Sequence, residues 1–158
     1  MRSAAVDIRV TEGDFDVGVE IAALSAGRTD VGAVASFVGL CRDEAGRLKA
    51  LELQHYPGMA EAEIRRVVED ALARWPAVTA VTVVHRHGLI RPGERIVLVA
   101  AASAHRGDAF AAAEFLMDFL KTRAPFWKKE HNADGTSGGW VEAKGEDNAA
   151  AERWRQGG

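Results

Sequence analysis

Four cations fall within nine residues of the stretch "LKTRAPFWKKEH" (residues 120–131): Lys121, Arg123, Lys128 and Lys129, set around Pro125, Phe126 and Trp127. An ammonium held beside large apolar side chains is drawn away from bulk water, where it can bind an anion or give up a proton. Lys121 follows Asp118 by three residues and Glu114 by seven. On a helix this spacing fits an ion pair with Asp118 at the negative end of the dipole. The ion pair is the simpler reading; the functional alternative is a lysine kept protonated by carboxylates, as an anion binder or proton donor. Pro125 disfavours helical geometry at Ala124, so the chain should turn back there and bring Lys128 or Lys129 toward Lys121. In an extended segment these two lysines point to opposite sides, one toward a pocket and one toward solvent.

A second basic group, "SAHR" (residues 103–106), follows an apolar run. Ser103 is suited to cap a helix, which places His105 and Arg106 in its first turn. A cation there opposes the helix dipole unless an anion docks between them. The other reading makes Arg106 a surface residue and His105 a packed polar one. Arg42, just after the apolar stretch "ASFVG", adds a cation at a strand end, where sites often lie. His85 and His87 in "HRH" share a strand face but have no third ligand at motif spacing, so no metal site is expected. Cys41 is the only cysteine, which excludes an internal disulfide and suits a reducing cytoplasm. The net charge of −3 disfavours bulk nucleic-acid binding, so any basic site must be local.

The elements that must position these groups can be read along the chain. With 158 residues, 47% of them hydrophobic, the chain suits one domain, taken as residues 1–145, with a polar tail over 146–158. Strands are predicted at "AVDIRV", Gly32–Gly39, "KALELQHY", "AVTVVHRHGLI", "RIVLVAAAS" and "WVEAK". A helix is predicted over "DFDVGVEIAALSA". The clearest amphipathic helix, "PGMAEAEIRRVVEDALARW", has an apolar stripe of Met59, Ile64, Val67, Val68, Ala71 and Leu72. A third helix, "AHRGDAFAAAEFLMDFLKTR", is apolar on most sides, with Phe110, Ala113, Met117 and Leu120 on one stripe. Such a helix is sandwiched between layers or buried at a subunit contact. "CRDEAGRL" reads as a turn or mobile loop centred on Gly46. Short connections between strand pairs point to α+β with a mixed or antiparallel sheet. No apolar run is long enough to span a bilayer.

Several stretches together carry a resemblance: "GAVASFVGLCRD", "LELQHYPGM", "RWPAVTAVTVVHRHGLIRPGE", "SAHRGDAFAAAEFLMDFLKTRAPFWKKE" and "WVEAK". In this order, over roughly residues 30–144, the chain resembles the large, catalytic subunit of molybdopterin synthase. The resemblance implies an α/β hammerhead fold with additional antiparallel strands. It implies a sulfurtransferase that converts cyclic pyranopterin monophosphate (precursor Z) into the molybdopterin dithiolene. The sulfur donor would be the thiocarboxylated C-terminus of a ubiquitin-like small subunit. The implied assembly is a homodimer within a heterotetramer, without a resident cofactor or metal. By position, Lys121 and Lys128 are similar to the catalytic lysines. Arg42, His105, Arg106 and Lys144 are similar to the substrate-anion pocket, Phe37 and Met117 to its walls, and Glu130 to a supporting residue. Lys144 stands where a related member has arginine, which keeps the charge and loses the bidentate fork. A different reading of the same cations is a non-catalytic module for an anion or a single nucleic-acid strand, with Phe126 and Trp127 stacking on bases. The ending Gly157-Gly158 is similar to a donor tail; the plain alternative is a frayed terminus.

Overall fold

The computed structural model describes residues 3–123, 125–142, 152 and 154. Among them are eight strands and three helices: β1 (Ala5–Thr11), α1 (Val17–Ser25), β2 (Ala33–Leu40), β3 (Leu48–His55), α2 (Met59–Arg74), β4 (Val78–Arg86), β5 (Gly88–Ile90), β6 (Arg95–Ser103), α3 (Arg106–Arg123), β7 (Phe126–Asn132) and β8 (Val141–Glu142). They form two four-stranded sheets, ordered β1-β4-β6-β2 and β5-β3-β7-β8. The first is mixed, because β1 runs parallel to β4 while the other pairs are antiparallel. The second is antiparallel throughout. This is the α+β architecture expected from the chain, with a mixed sheet packed against helices.

The central strands β4 and β6 are apolar on both faces because both faces are covered. Val81, Val83, Val97, Val99 and Ala101 pack with Ile64, Val67 and Val68 of α2 and Phe115, Leu116 and Phe119 of α3. On the other face Ala80, Val84, Leu98, Ala100 and Ala102 pack with Phe15 and with Leu24 of α1. Asp16 caps α1 by accepting from the Val19 amide at 3.1 Å. α3 is sandwiched, as its composition requires: sheet on one side, α2 on the other. Alanines allow the closest approach, Ala109 and Ala113 meeting Ala35 of β2.

Several expectations need correction. Met59 and Phe110, read as parts of apolar stripes, are exposed. "AVTVVHRHGLI" is two strands: Gly88, at φ 86°, turns the chain after His87, so β4 stays in the first sheet and β5 enters the second. Ser103 is not the residue flanking α3: it is buried at the end of β6, where its hydroxyl donates to Ala77 O at 3.1 Å and accepts at 3.5 Å from the amide of His105, just ahead of the helix. The 41–48 segment is tied by hydrogen bonds: Leu48 N donates to Asp43 Oδ1 at 2.9 Å and Ala133 N to Arg47 O at 2.8 Å. Trp154 packs edge-on against Trp75 and Phe115, and its Nε1–H donates to Asp118 Oδ2 at 2.6 Å, a contact the polar composition of 146–158 does not announce. Lys144 and Gly157-Gly158 lie outside the described residues. No helix among the described residues is long and apolar enough to cross a membrane.

The entry to β2 has no spare volume. Gly32 N donates to Ser103 O at 2.9 Å, and a Cβ at Gly32 would lie 2.0 Å from Ala104 O. Gly32→Ala should therefore cost about 1–3 kcal/mol, the range for forced overpacking. The measurement is the urea midpoint. Gly107→Ala is the control, since a Cβ there meets nothing within 4 Å.

Candidate functional site

The second sheet crosses one end of the first, and a cleft opens at that junction. Its volume is about 540 Å³. Four cations line it: Arg42 and Arg47 from the loop after β2, Lys121 from the last turn of α3 and Lys128 from β7. Glu44, Glu130 and Asn132 also line it, and Leu40, Cys41, Leu48, Leu51 and Ile96 supply apolar wall.

Local structure explains the convergence. Lys121 is carried to this end because α3 runs from the end of β6 back along the sheet. Phe126 anchors the returning chain. It is buried, and its ring stacks on His85 at 3.9 Å between centroids. Two residues on, strand alternation turns Lys128 and then Glu130 into the cleft. Lys129 points the other way and lies over the Trp140 ring at 5.7 Å. Trp127 faces a separate groove with Tyr56, Met59 and Trp140. The base-stacking reading therefore loses its geometry: Phe126 is buried, and Trp127 and Lys128 lie on opposite faces of β7.

Among the described residues Lys121 and Lys128 take part in no ion pair. The Asp118 pairing allowed by sequence is not made, since the Asp118 carboxylate accepts from Trp154. Arg42, by contrast, is bonded to Glu44 at 2.9 Å and largely exposed. Two unpaired ammonium groups beside an apolar wall, with Glu130 as the lining carboxylate closest in sequence, make a site that attracts anions and can move protons. Burial pushes the Cys41 thiol up, and Glu94, Asp43 and Glu130 add to the effect. Cys41 is therefore a protonated thiol packed with Leu53 and Ile90, with no nucleophilic character.

The remaining expected residues are distributed unevenly. Met117 is buried one turn before Lys121. Phe37 is 43% exposed and sits on the α3-facing side of β2 with Ala33 and Ala35. Its ring leans toward the cleft end, over Gly39, where a Cβ would meet Phe37 Cε1 at 3.4 Å. His105 and Arg106 are not in this cleft. They are exposed at the opposite end of α3, fifteen residues from Lys121, or about 22 Å along the axis. A single chain thus does not assemble the one cavity that the sequence suggested. Arg47 and Asn132 were missed by sequence reasoning. The signal available was position: both flank the ends of paired strands, Leu48 opposite Asn132.

Behind the cleft is a histidine cluster. His55 lies 4.4 Å from His87 and 6.0 Å from Phe126, centroid to centroid. His85 Nδ1 is 2.8 Å from Arg86 O, so that nitrogen carries the proton and donates to the carbonyl. Burial pushes the His85 pKa down to about 4; the Arg86 carbonyl bond opposes this, while Lys121, His55 and His87 add to it. His85 is therefore neutral at physiological pH. Among the described residues no group of three or more His, Cys, Asp or Glu side chains is arranged to hold a metal ion.

Comparison with known proteins places this arrangement. Residues 10–123 match the family model described as MoaE protein. A molybdopterin synthase catalytic subunit from Mesorhizobium japonicum is 67% identical over 151 residues, covering 96% of this chain and 94% of that protein. The solved molybdopterin biosynthesis MoaE protein from Burkholderia ambifaria is 48% identical with a TM-score of 0.83, covering 95% of this chain and 98% of that one. A complex of subunits 1 and 2 of molybdopterin-converting factor from Helicobacter pylori shares the fold at 20% identity and a TM-score of 0.70, covering 88% and 91%. A family match across most of the fold, joined to two-thirds identity over nearly the whole length, makes this chain a member of the MoaE protein family.

Proposed function

We propose that this chain is the catalytic subunit of a molybdopterin synthase working in the cytoplasm. It moves sulfur from a thiocarboxylated, ubiquitin-like small subunit onto cyclic pyranopterin monophosphate, building the dithiolene of molybdopterin. The observation that carries this reading is the convergence of unpaired Lys121 and Lys128 in one cleft with Arg42. Both reactants are anions and must be brought together. Positive charge beside a low-dielectric wall opposes their mutual repulsion and orients them. The thiocarboxylate sulfur attacks a side-chain carbon of the pterin and displaces an oxygen substituent, whose C–O bond breaks as the departing oxygen takes a proton from a lysine. Lys121 and Lys128 stabilise the negative charge that develops and assist proton transfer, with Glu130 in support. Water then hydrolyses the acyl link to the small subunit, and a second donor brings the second sulfur. No thiol of this chain is required, in keeping with the buried, protonated Cys41.

His105 and Arg106 enter through a second copy of the chain. β2 and α3 run in the same direction, from the Ala33 and Arg106 end to the Leu40 and Lys121 end. A two-fold axis perpendicular to α3 reverses that direction in the partner. It sets the partner subunit's Arg106 against the cleft of the first copy. Phe37 and Phe110, both exposed on this side, supply apolar contact. Lys144 is assigned to the same anion pocket.

The test is reconstitution. Purified chain, thiocarboxylated small subunit and cyclic pyranopterin monophosphate should yield a dithiolene product detectable by mass. Absence of product with a donor shown to be competent toward an authentic synthase would refute the reading.

A further inference from the structure

Arg42 and Arg47 both line the lysine cleft, yet they are presented differently. The Arg42 guanidinium is bonded to Glu44 at 2.9 Å and its side chain is 82% exposed. To take an anion it must leave that carboxylate. Among the described residues Arg47 has no carboxylate partner, and its backbone is held on both sides. Its carbonyl accepts from Ala133 N at 2.8 Å, its amide donates to Glu44 O at 3.1 Å, and the next residue donates to Asp43 Oδ1. The turn leading to it uses left-handed Ala45 and Gly46, at φ 54° and 73°. Through Ala133 and the Leu48–Asn132 pair, Arg47 is fastened to β7, the strand that carries Lys128. Arg47 is also exposed, but a braced backbone fixes where its side chain starts, its guanidinium need not leave a carboxylate of the described residues, and its planar fork matches a phosphate.

We propose that Arg47 is a substrate-positioning residue: its guanidinium takes the phosphate of the small-molecule substrate while the lysines face the reacting carbon. This rests on the function proposed above. The shared chemistry is an oxyanion, and the donor terminus also carries one. The thiocarboxylate loses its charge once its sulfur forms a carbon bond, whereas the phosphate keeps a negative charge throughout. An anchor that must hold across the step therefore belongs on the phosphate.

The experiment is steady-state turnover of the reconstituted synthase carrying Arg47→Ala or Arg47→Lys. The main-chain bonds of Arg47 survive both changes. Arg47→Ala should raise KM for the phosphorylated substrate about ten- to a hundredfold, the usual worth of a hydrogen bond to a charged group. Its kcat should stay within about twofold. Arg47→Lys should recover part of the loss, because the charge remains and the fork does not. Inorganic phosphate should compete with substrate in the wild type and more weakly in Arg47→Ala. An unchanged KM in Arg47→Ala overturns the proposal. So does a rise confined to the KM for the small subunit, which would put the donor terminus on Arg47. Lys121→Ala run alongside separates the two levels: if it turns over normally, the functional reading itself fails; if it is inactive while Arg47→Ala keeps its KM, only the role of Arg47 fails.

Discussion

Lys121→Ala should lower turnover by about 10²- to 10⁴-fold, the range for removing a group that assists proton transfer and stabilises charge. Unfolding free energy should move by less than about 0.5 kcal/mol, because Lys121 is exposed and in no ion pair among the described residues. Arg106→Ala, at the far end of α3, should also depress turnover, for a different reason: under the proposed two-fold it empties a position facing the partner's cleft. The two variants should complement each other. Mixed after reversible dissociation, half of the dimers pair one copy of each. In such a hybrid one site carries both defects and the other carries neither. Activity should therefore recover to about a quarter of wild type, as expected for an isologous two-fold with sites built from both copies. Activity measured against mixing ratio decides the matter. A mixture no more active than its components places Lys121 and Arg106 in separate functions, and the two-copy site is lost. Leaving the fold of each copy untouched matters here, so circular dichroism of both variants should overlay that of the parent.

The second large effect is on stability in mild acid. His85 stays neutral in the fold, with its pKa lowered to about 4 from an ordinary 6.5. Below pH 6.5 the unfolded chain binds a proton that the folded chain refuses, so its population rises. The stability tied to neutral His85 is fully present above pH 6.5. It falls as pH drops toward 4 and levels off below that. A gap of this size corresponds to about 3 kcal/mol across the window. His85→Phe keeps an aromatic ring to stack on Phe126 but cannot titrate. It forfeits the bond to the Arg86 carbonyl at every pH. Urea unfolding of both proteins at pH 7, 5.5 and 4.5 should show the parent losing about 2–3 kcal/mol more than the variant. Curves that stay parallel with pH would mean that His85 takes up its proton as readily in the fold as in the unfolded chain. Of the charged groups that add to this shift, Lys121 also lines the cleft.

Much of this molecule was legible along the chain because the relevant forces are local or periodic. The apolar runs of β4 and β6 announced strands, but burial was expected for Gly32–Gly39, and that strand is an edge strand with only Ala35 buried. The 3.6-residue pattern of α2 held for Ile64, Val67, Val68 and Ala71 and failed at Met59, where the helix begins and one side faces solvent. Pro125 marked the end of α3, and alternation along β7 separated Lys128 from Lys129. The break at His87 was not legible, because a glycine within an apolar run looks like strand until its φ is known.

The amino-acid order by itself determined the elements, the core and the identity of the cationic groups, since helix period, strand alternation and proline geometry act within a few residues. Tertiary structure alone decided which cations meet. Lys121 and Lys128 are seven residues apart and converge because Phe126 is buried against His85; Arg42 and Arg47 join them because two sheets cross at that end. Arg106 is on the same helix as Lys121 and cannot join it, because a helix is rigid and rises about 1.5 Å with every residue. Proximity between distant side chains is set by packing of whole elements, and neither composition nor spacing encodes the direction in which those elements run.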